Sequence, residues 1–224
     1  MTPVPTMVLA AMFAAPSTPM SEPLTRYVQA REAEFNEIPA ERKAQLTPLA
    51  DYIRAQVTAA RPVKLTFICT HNSRRSHLSQ VWARTAANHY GIANVETYSG
   101  GTEATAFNPR AVAALRRAGF EIPELLEAGN PKYEVKWHSA AEPMVCFSKR
   151  FDQSPNPASG FAAVMTCTQA DRACPIVAGA DARISIPYED PKAFDNTPDE
   201  ARKYDERTAQ IARELLYVFS QVAK

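Results

Sequence analysis

Cys69 and Arg75 are the pair of residues whose spacing most directly suggests chemistry. They bracket the run Cys69-Thr70-His71-Asn72-Ser73-Arg74-Arg75-Ser76. A thiol is a strong nucleophile once ionised, and positive potential favours the thiolate. An arginine offers a planar fork of donors suited to two-point contact with a tetrahedral oxyanion. The run lies between two elements of different periodicity. Before it, Val63-Lys64-Leu65-Thr66-Phe67-Ile68 is rich in β-branched and aromatic residues and reads as a strand. After it, Leu78, Val81, Trp82, Thr85 and Ala86 recur at helical steps. A loop joining such a strand to such a helix gathers backbone N–H groups at the helix N-terminus, a natural anion cradle. The segment therefore reads as an oxyanion-binding nucleophile loop. The plainer alternative is a small buried cysteine ending a strand.

A carboxyl group and two further thiols add to this pattern. In Ser185-Ile186-Pro187-Tyr188-Glu189-Asp190-Pro191-Lys192 the proline restricts Asp190 to extended backbone. A carboxyl held there could protonate a leaving oxygen, or simply open a turn, as Asp-Pro commonly does. Cys167 follows the apolar stretch Phe161–Thr166, and Cys174 comes seven residues later. The two are either a redox or metal-binding pair, or a strand-end core thiol and an unrelated loop thiol. Cys146, within Met144-Val145-Cys146-Phe147, reads as core.

Cys-x5-Arg-Ser at a strand–loop–helix junction resembles the signature of the low-molecular-weight protein tyrosine phosphatases, and equally of the arsenate reductases built on that fold. The Cys167–Cys174 spacing is similar to the relay of the thioredoxin-coupled arsenate reductases. The resemblance runs from about Val63 to the C-terminus. It implies that Cys69 is the nucleophile, that Arg75 with the backbone of Thr70, His71, Asn72, Ser73, Arg74 and Ser76 binds the oxyanion, and that Ser76 hydrogen-bonds the thiolate. It implies Asp190 as proton donor. Cys167 would attack Cys69 to release arsenite, and Cys174 would then leave a Cys167–Cys174 disulfide for a thioredoxin-like reductant. No organic cofactor is implied.

The chain departs from the family pattern at His71, where glycine is common, and at Arg74, where the reductases often carry cysteine. Arg74 either adds positive charge beside the nucleophile or points to solvent. His71 either tunes the thiolate or is a satisfied loop histidine. Asn72 suits a left-handed position. Some reductases hold a cation beside this loop, and the matching positions are Asn72, Gln80 and Ser99. With neutral Gln80 in the acidic ligand's place, such a site would be weak. The glycines of Tyr98-Ser99-Gly100-Gly101 suit close approach to the loop.

The expected fold is α/β: an open parallel sheet of about four strands with helices on both faces, similar to the low-molecular-weight phosphatases, with an N-terminal helical extension. Asn108-Pro109 opens a helix, and Tyr204, Thr208, Ile211, Leu215, Val218 and Val222 mark the last one. Residues 63–224 form the expected catalytic domain, with 129–160 an insertion containing two short extended stretches that could pair as a hairpin. Residues 1–23 hold five prolines and no basic residue, and are expected to be a disordered tail in which Met20 is a better start than Met1. Residues 24–62 are expected to form two helices. The second carries Leu46, Leu49, Ala50, Ile53 and Val57 on one face, to pack on the sheet domain or on a second subunit.

Composition sets bounds. A chain of 224 residues can bury a sizeable core, and a net charge of +1 gives no electrostatic case for nucleic acid or anionic membrane. Four cysteines do not make a secreted disulfide scaffold. The cytoplasm is the expected setting. Three functions fit: an arsenate reductase, a phosphatase acting on phosphotyrosine or small phosphate esters, and a thiolate metal- or metalloid-binding protein. The last lacks closely spaced cysteine pairs.

Overall fold

The structure, a computed structural model of the chain, describes residues 19–125, 129–173 and 176–223. Cys174 and the first 18 residues of the expected tail lie outside the described residues.

The chain opens with two helices, α1 (Glu22–Ala33) and α2 (Ala40–Thr58). They are followed by strand β1 (Val63–Cys69), helix α3 (Arg75–His89), β2 (Val95–Gly101) and α4 (Pro109–Arg117). Next come β3 (Tyr133–Val135), β4 (Met144–Cys146), β5 (Phe161–Met165), the short α5 (Thr168–Ala173), β6 (Ala180–Ser185) and α6 (Glu200–Ser220). Four strands form a parallel sheet in the order β2-β1-β5-β6, while β3 and β4 pair as an antiparallel hairpin. β6 carries the sequence Ala-Asp-Ala-Arg-Ile-Ser, half exposed along its length, which suits its place at the sheet edge.

Alternation along β1 divides the core. Leu65 and Phe67 join one cluster with α1, α2, α3, α4 and α6, whereas Ile68 faces a smaller cluster with Phe161, Met165, Cys167 and Ala170, which Cys69 meets at the end of the strand. One face of the sheet is thus heavily covered. The other carries only the short α5 and its neighbouring loops.

The N-terminal helices contribute Leu24, Val28, Leu46, Leu49 and Ile53 to the larger cluster, so their apolar faces are met within the same chain. A buried ion pair fixes the contact: the Arg42 guanidinium on α2 donates to Glu214 Oε2 on α6 at 2.8 Å. Arg42 also lies over the Tyr188 ring at 4.9 Å. Among the described residues, no helix is long and apolar enough to cross a membrane.

Because all four main strands are parallel, their carboxyl ends share one rim, where open α/β sheets bind ligands. Cys69 ends β1, Gly101 ends β2, Cys167 follows β5, and Asp190 follows β6. Residues remote in sequence therefore gather at one edge of the sheet.

Candidate active site

The loop from Thr70 to Arg74 turns between β1 and α3, with Asn72 in the left-handed region at φ +44°. Asparagine tolerates that conformation better than most residues. The loop's carbonyl groups face outward. Cys69 O accepts from Thr102 N at 3.2 Å, Thr70 O from Glu103 N at 2.9 Å, and Ser73 O from Asn108 N at 2.8 Å. His71 O accepts from the hydroxyls of Thr105 (3.0 Å) and Ser148 (3.1 Å). These carbonyls are engaged by neighbouring segments. Among the described residues the N–H groups of Thr70 to Ser76 find no backbone acceptor. These amides, together with the first turn of α3, make a cradle for an anion.

Cys69 Sγ lies 3.1 Å from Ser76 Oγ. That hydroxyl oxygen accepts from Asn72 Nδ2 at 2.8 Å, which leaves the Ser76 proton free to point at sulfur. Asn72 is itself held by Lys149 N, which donates to Asn72 Oδ1 at 2.9 Å. The chain Lys149–Asn72–Ser76–Cys69 thus fixes the sulfur through buried contacts.

Arg75 is buried and points to the segment after β6. Its guanidinium donates to Tyr188 O at 3.0 Å and to Asp190 Oδ2 at 2.7 Å, while its Nε–H finds no partner among the described residues. Asp190 has the extended backbone that its proline favours (φ −81°, ψ 121°). Its Oδ1 accepts from Lys192 N at 3.1 Å and caps the 3-10 turn Pro191–Phe194. Asp190 is therefore a turn aspartate and a partner of Arg75 at once.

Cys167 is buried, with Sγ 3.5 Å from Thr70 Oγ1 and 3.3 Å from the donating amide of Ala170. A second thiol therefore touches the residue next to Cys69. Cys69, Cys146 and Cys167 are all free thiols. Burial pushes the Cys146 thiol up to about 12, as suits a core cysteine.

Burial excludes one of the two readings of Arg74. The Arg74 side chain is buried and does not point to solvent. Its Nε donates to Tyr204 Oη at 2.7 Å, and its Nη2 donates to Asp195 Oδ2 at 3.2 Å. Its Nε also lies 3.9 Å from Asp190 Oδ1, on the carboxylate that Arg75 holds. His71 is about half exposed, 3.7 Å from Glu103, and meets the loop's neighbours through its carbonyl. The expected cation ligands are engaged within the protein. Asn72 bridges Ser76 and Lys149, Ser99 Oγ lies 3.1 Å from His77 Nδ1, and Gln80 Nε2 donates to Thr97 O at 3.2 Å. Only Gln80 Oε1 is without a partner. Among the described residues, no group of three His, Cys, Asp or Glu side chains could hold a metal ion.

Gly100 and Gly101 prove to be strand residues at the end of β2. A Cβ on Gly101 would fall 2.1 Å from Glu103 O and 2.7 Å from Asn72 N, so the loop packs against bare backbone. Several supporting residues carry no local sequence signal. Ser148 also accepts from Thr105 N and donates its own N–H to Asn130 Oδ1. Lys149 is buried beside Phe147 and forms no ion pair among the described residues, and burial lowers its ammonium to about 8. Burial, reinforced by Lys149, holds His77 well below the usual histidine range and hence neutral.

Residues 64–132 match the family model described as low molecular weight phosphotyrosine protein phosphatase. A stretch of 58 residues, 26% of this chain, is 45% identical to an arsenate reductase of Bacillus licheniformis. That match spans 39% of the relative's length. Among solved structures, a low molecular weight phosphotyrosine phosphatase from Vibrio cholerae is similar over 70% of this chain and 94% of its own, with 14% identity and a TM-score of 0.47. A thioredoxin-dependent arsenate reductase from Corynebacterium glutamicum is similar over 88% of this chain and 96% of its own, with 17% identity and a TM-score of 0.39. The matched residues 64–132 hold the loop after β1 and both of its flanking elements.

Proposed function

We propose that this chain is an arsenate reductase working through a cysteine relay. The observation that carries the reading is the contact of Cys167 Sγ with Thr70 Oγ1 at 3.5 Å, beside the cradle that contains Cys69. Hydrolysis at Cys69 needs no second thiol there. Reduction does.

Arsenate enters the cradle and is held by the loop amides and Arg75, while Ser76 donates to the Cys69 thiolate. The sulfur attacks arsenic, and Asp190 gives a proton to the departing hydroxide, which leaves as water. The Cys167 thiolate then attacks Cys69 Sγ. The S–As bond breaks, its electron pair stays on arsenic, arsenic(V) becomes arsenic(III), and arsenite departs from a Cys69–Cys167 disulfide. Cys174, which lies outside the described residues, attacks Cys167 to release the Cys69 thiolate. The resulting Cys167–Cys174 disulfide is reduced by an external dithiol of the thioredoxin kind. The expected resident cofactor is none, and the expected setting is the cytoplasm.

A second reading is supported by the pairing of Arg75 with Asp190: these two residues and Cys69 suffice for a phosphatase acting on phosphotyrosine or small phosphate monoesters. The substitution Cys167→Ser separates the two. Arsenate-dependent NADPH consumption with thioredoxin and its reductase should vanish, while p-nitrophenyl phosphate hydrolysis persists. Arsenate turnover that survives in that variant overturns the relay. A wild-type protein that hydrolyses aryl phosphate and ignores arsenate makes it a phosphatase.

A further inference from the structure

Two consecutive arginines leave the loop after β1 and hold one short segment, Arg75 at its start and Arg74 at its end, with Arg74 Nε also 3.9 Å from Asp190 Oδ1. Arg75 holds the start, donating to Asp190 Oδ2 at 2.7 Å. Arg74 holds the end, donating to Asp195 Oδ2 at 3.2 Å and to the Tyr204 hydroxyl at 2.7 Å. Tyr204 in turn donates to Asp195 Oδ1 at 2.7 Å, closing a triangle. Burial keeps that phenol protonated, raising it to about 12. Arg110 adds a second cation 3.8 Å from Asp195 and donates to Asn196 Oδ1 at 2.8 Å. Only the turn Pro191–Phe194 separates Asp190 from Asp195.

We propose that Arg74 is a positioning residue, which keeps Asp190 in place over the cradle when Arg75 turns from Asp190 to the substrate oxyanion. The proposal rests on the reading that Cys69 attacks a bound oxyanion. A tetrahedral dianion competes with a single carboxylate for the same fork, and it carries the greater charge. Once Arg75 turns, Asp190 keeps its contact with Lys192 N, which belongs to the same turn and moves with it, and the Arg74 guanidinium, whose Nε lies 3.9 Å from Asp190 Oδ1. Arg74 ties that turn to the loop at both ends, through Asp190 itself and through the triangle with Asp195 and Tyr204. Arg74 does so from a buried side chain. The arginine is thus a fixed tether beside a movable one.

The test is kcat/KM for a series of aryl phosphates, from p-nitrophenyl phosphate to phenyl phosphate, in wild type, Cys69→Ser, Arg74→Met, Arg74→Lys and Tyr204→Phe. A misplaced acid slows most those reactions whose leaving oxygen needs the proton. Arg74→Met should therefore lose about tenfold or less on p-nitrophenyl phosphate and about a hundredfold on phenyl phosphate. Tyr204→Phe should steepen the same dependence to a smaller degree. Arg74→Lys, lacking the fork, should resemble Arg74→Met. Inhibition by inorganic phosphate should stay within about twofold of wild type, because the cradle is intact. Equal losses across the series, or none, overturn the positioning role while leaving the nucleophile intact. Wild-type turnover no better than Cys69→Ser removes the catalytic reading and the proposal with it. If Arg74→Met fails to fold, Tyr204→Phe and Arg74→Lys decide the question on the same slope.

Discussion

Arg75 and Asp190 meet at 2.7 Å, so the guanidinium that would bind an oxyanion is held, in the free protein, by the carboxylate that would supply the proton. Each group restrains the other until a stronger anion enters. Asp190→Asn should therefore have two opposed effects. Turnover falls by about 10²- to 10⁴-fold as the proton donor is lost. Inorganic phosphate inhibits more strongly, because Arg75 no longer has a carboxylate to leave. Inhibition constants and kcat measured on one preparation check both. Weaker phosphate inhibition would count against the competition.

Gly101 makes room for the loop. Gly101→Ala puts a methyl group against Glu103 O and Asn72 N, both backbone atoms that cannot step aside. Overpacking of this kind costs about 1–3 kcal/mol, and here it also displaces the cradle. A lower Tm with disproportionate loss of kcat/KM is expected. Full activity at a lower Tm would mean that the loop tolerates the shift.

Lys149 sets a dependence on pH. Its ammonium ionises near 8 in the fold, against the ordinary lysine range above 10 when unfolded. The unfolded chain binds more protons between those values, so the contribution of Lys149 to stability rises from about pH 8 to pH 10. Below pH 8 the charge is buried at full cost. Lys149→Met should stabilise the protein at pH 7, by on the order of 1–3 kcal/mol, and flatten that rise. Denaturant midpoints at pH 7 and pH 9.5 in both proteins are the measurement.

Arg42 offers a test of the N-terminal helices. Arg42→Ala leaves Glu214, 2% exposed, without its cation and should cost about 3–5 kcal/mol. Replacing Arg42 and Glu214 together with Met and Leu should recover most of that loss, since neither charge is then stranded. Chemical denaturation of the single and double variants decides it.

Local patterns made much of this molecule readable from sequence. β1, α3 and α6 announce themselves by apolar periodicity, and Asn108 with Pro109 caps α4 as its residue types require. The left-handed Asn72 and the buried Cys146 were also legible. What escaped depends on distance in the chain. Nothing near Arg74 reveals that its partners are Asp195 and Tyr204, more than a hundred residues away. Ser148 and Lys149 look unremarkable until the hairpin brings them behind the loop. β6 is a half-exposed edge strand whose arginine and aspartate mask its alternation.

The outward anchoring of the carbonyls after β1 has a thermodynamic consequence. Thr102, Glu103, Thr105, Asn108 and Ser148 order that loop as the protein folds, through contacts independent of any ligand. An arriving anion meets dipoles already aligned, so little of its binding free energy is spent arranging them. Affinity should then vary chiefly with the charge and shape of the guest.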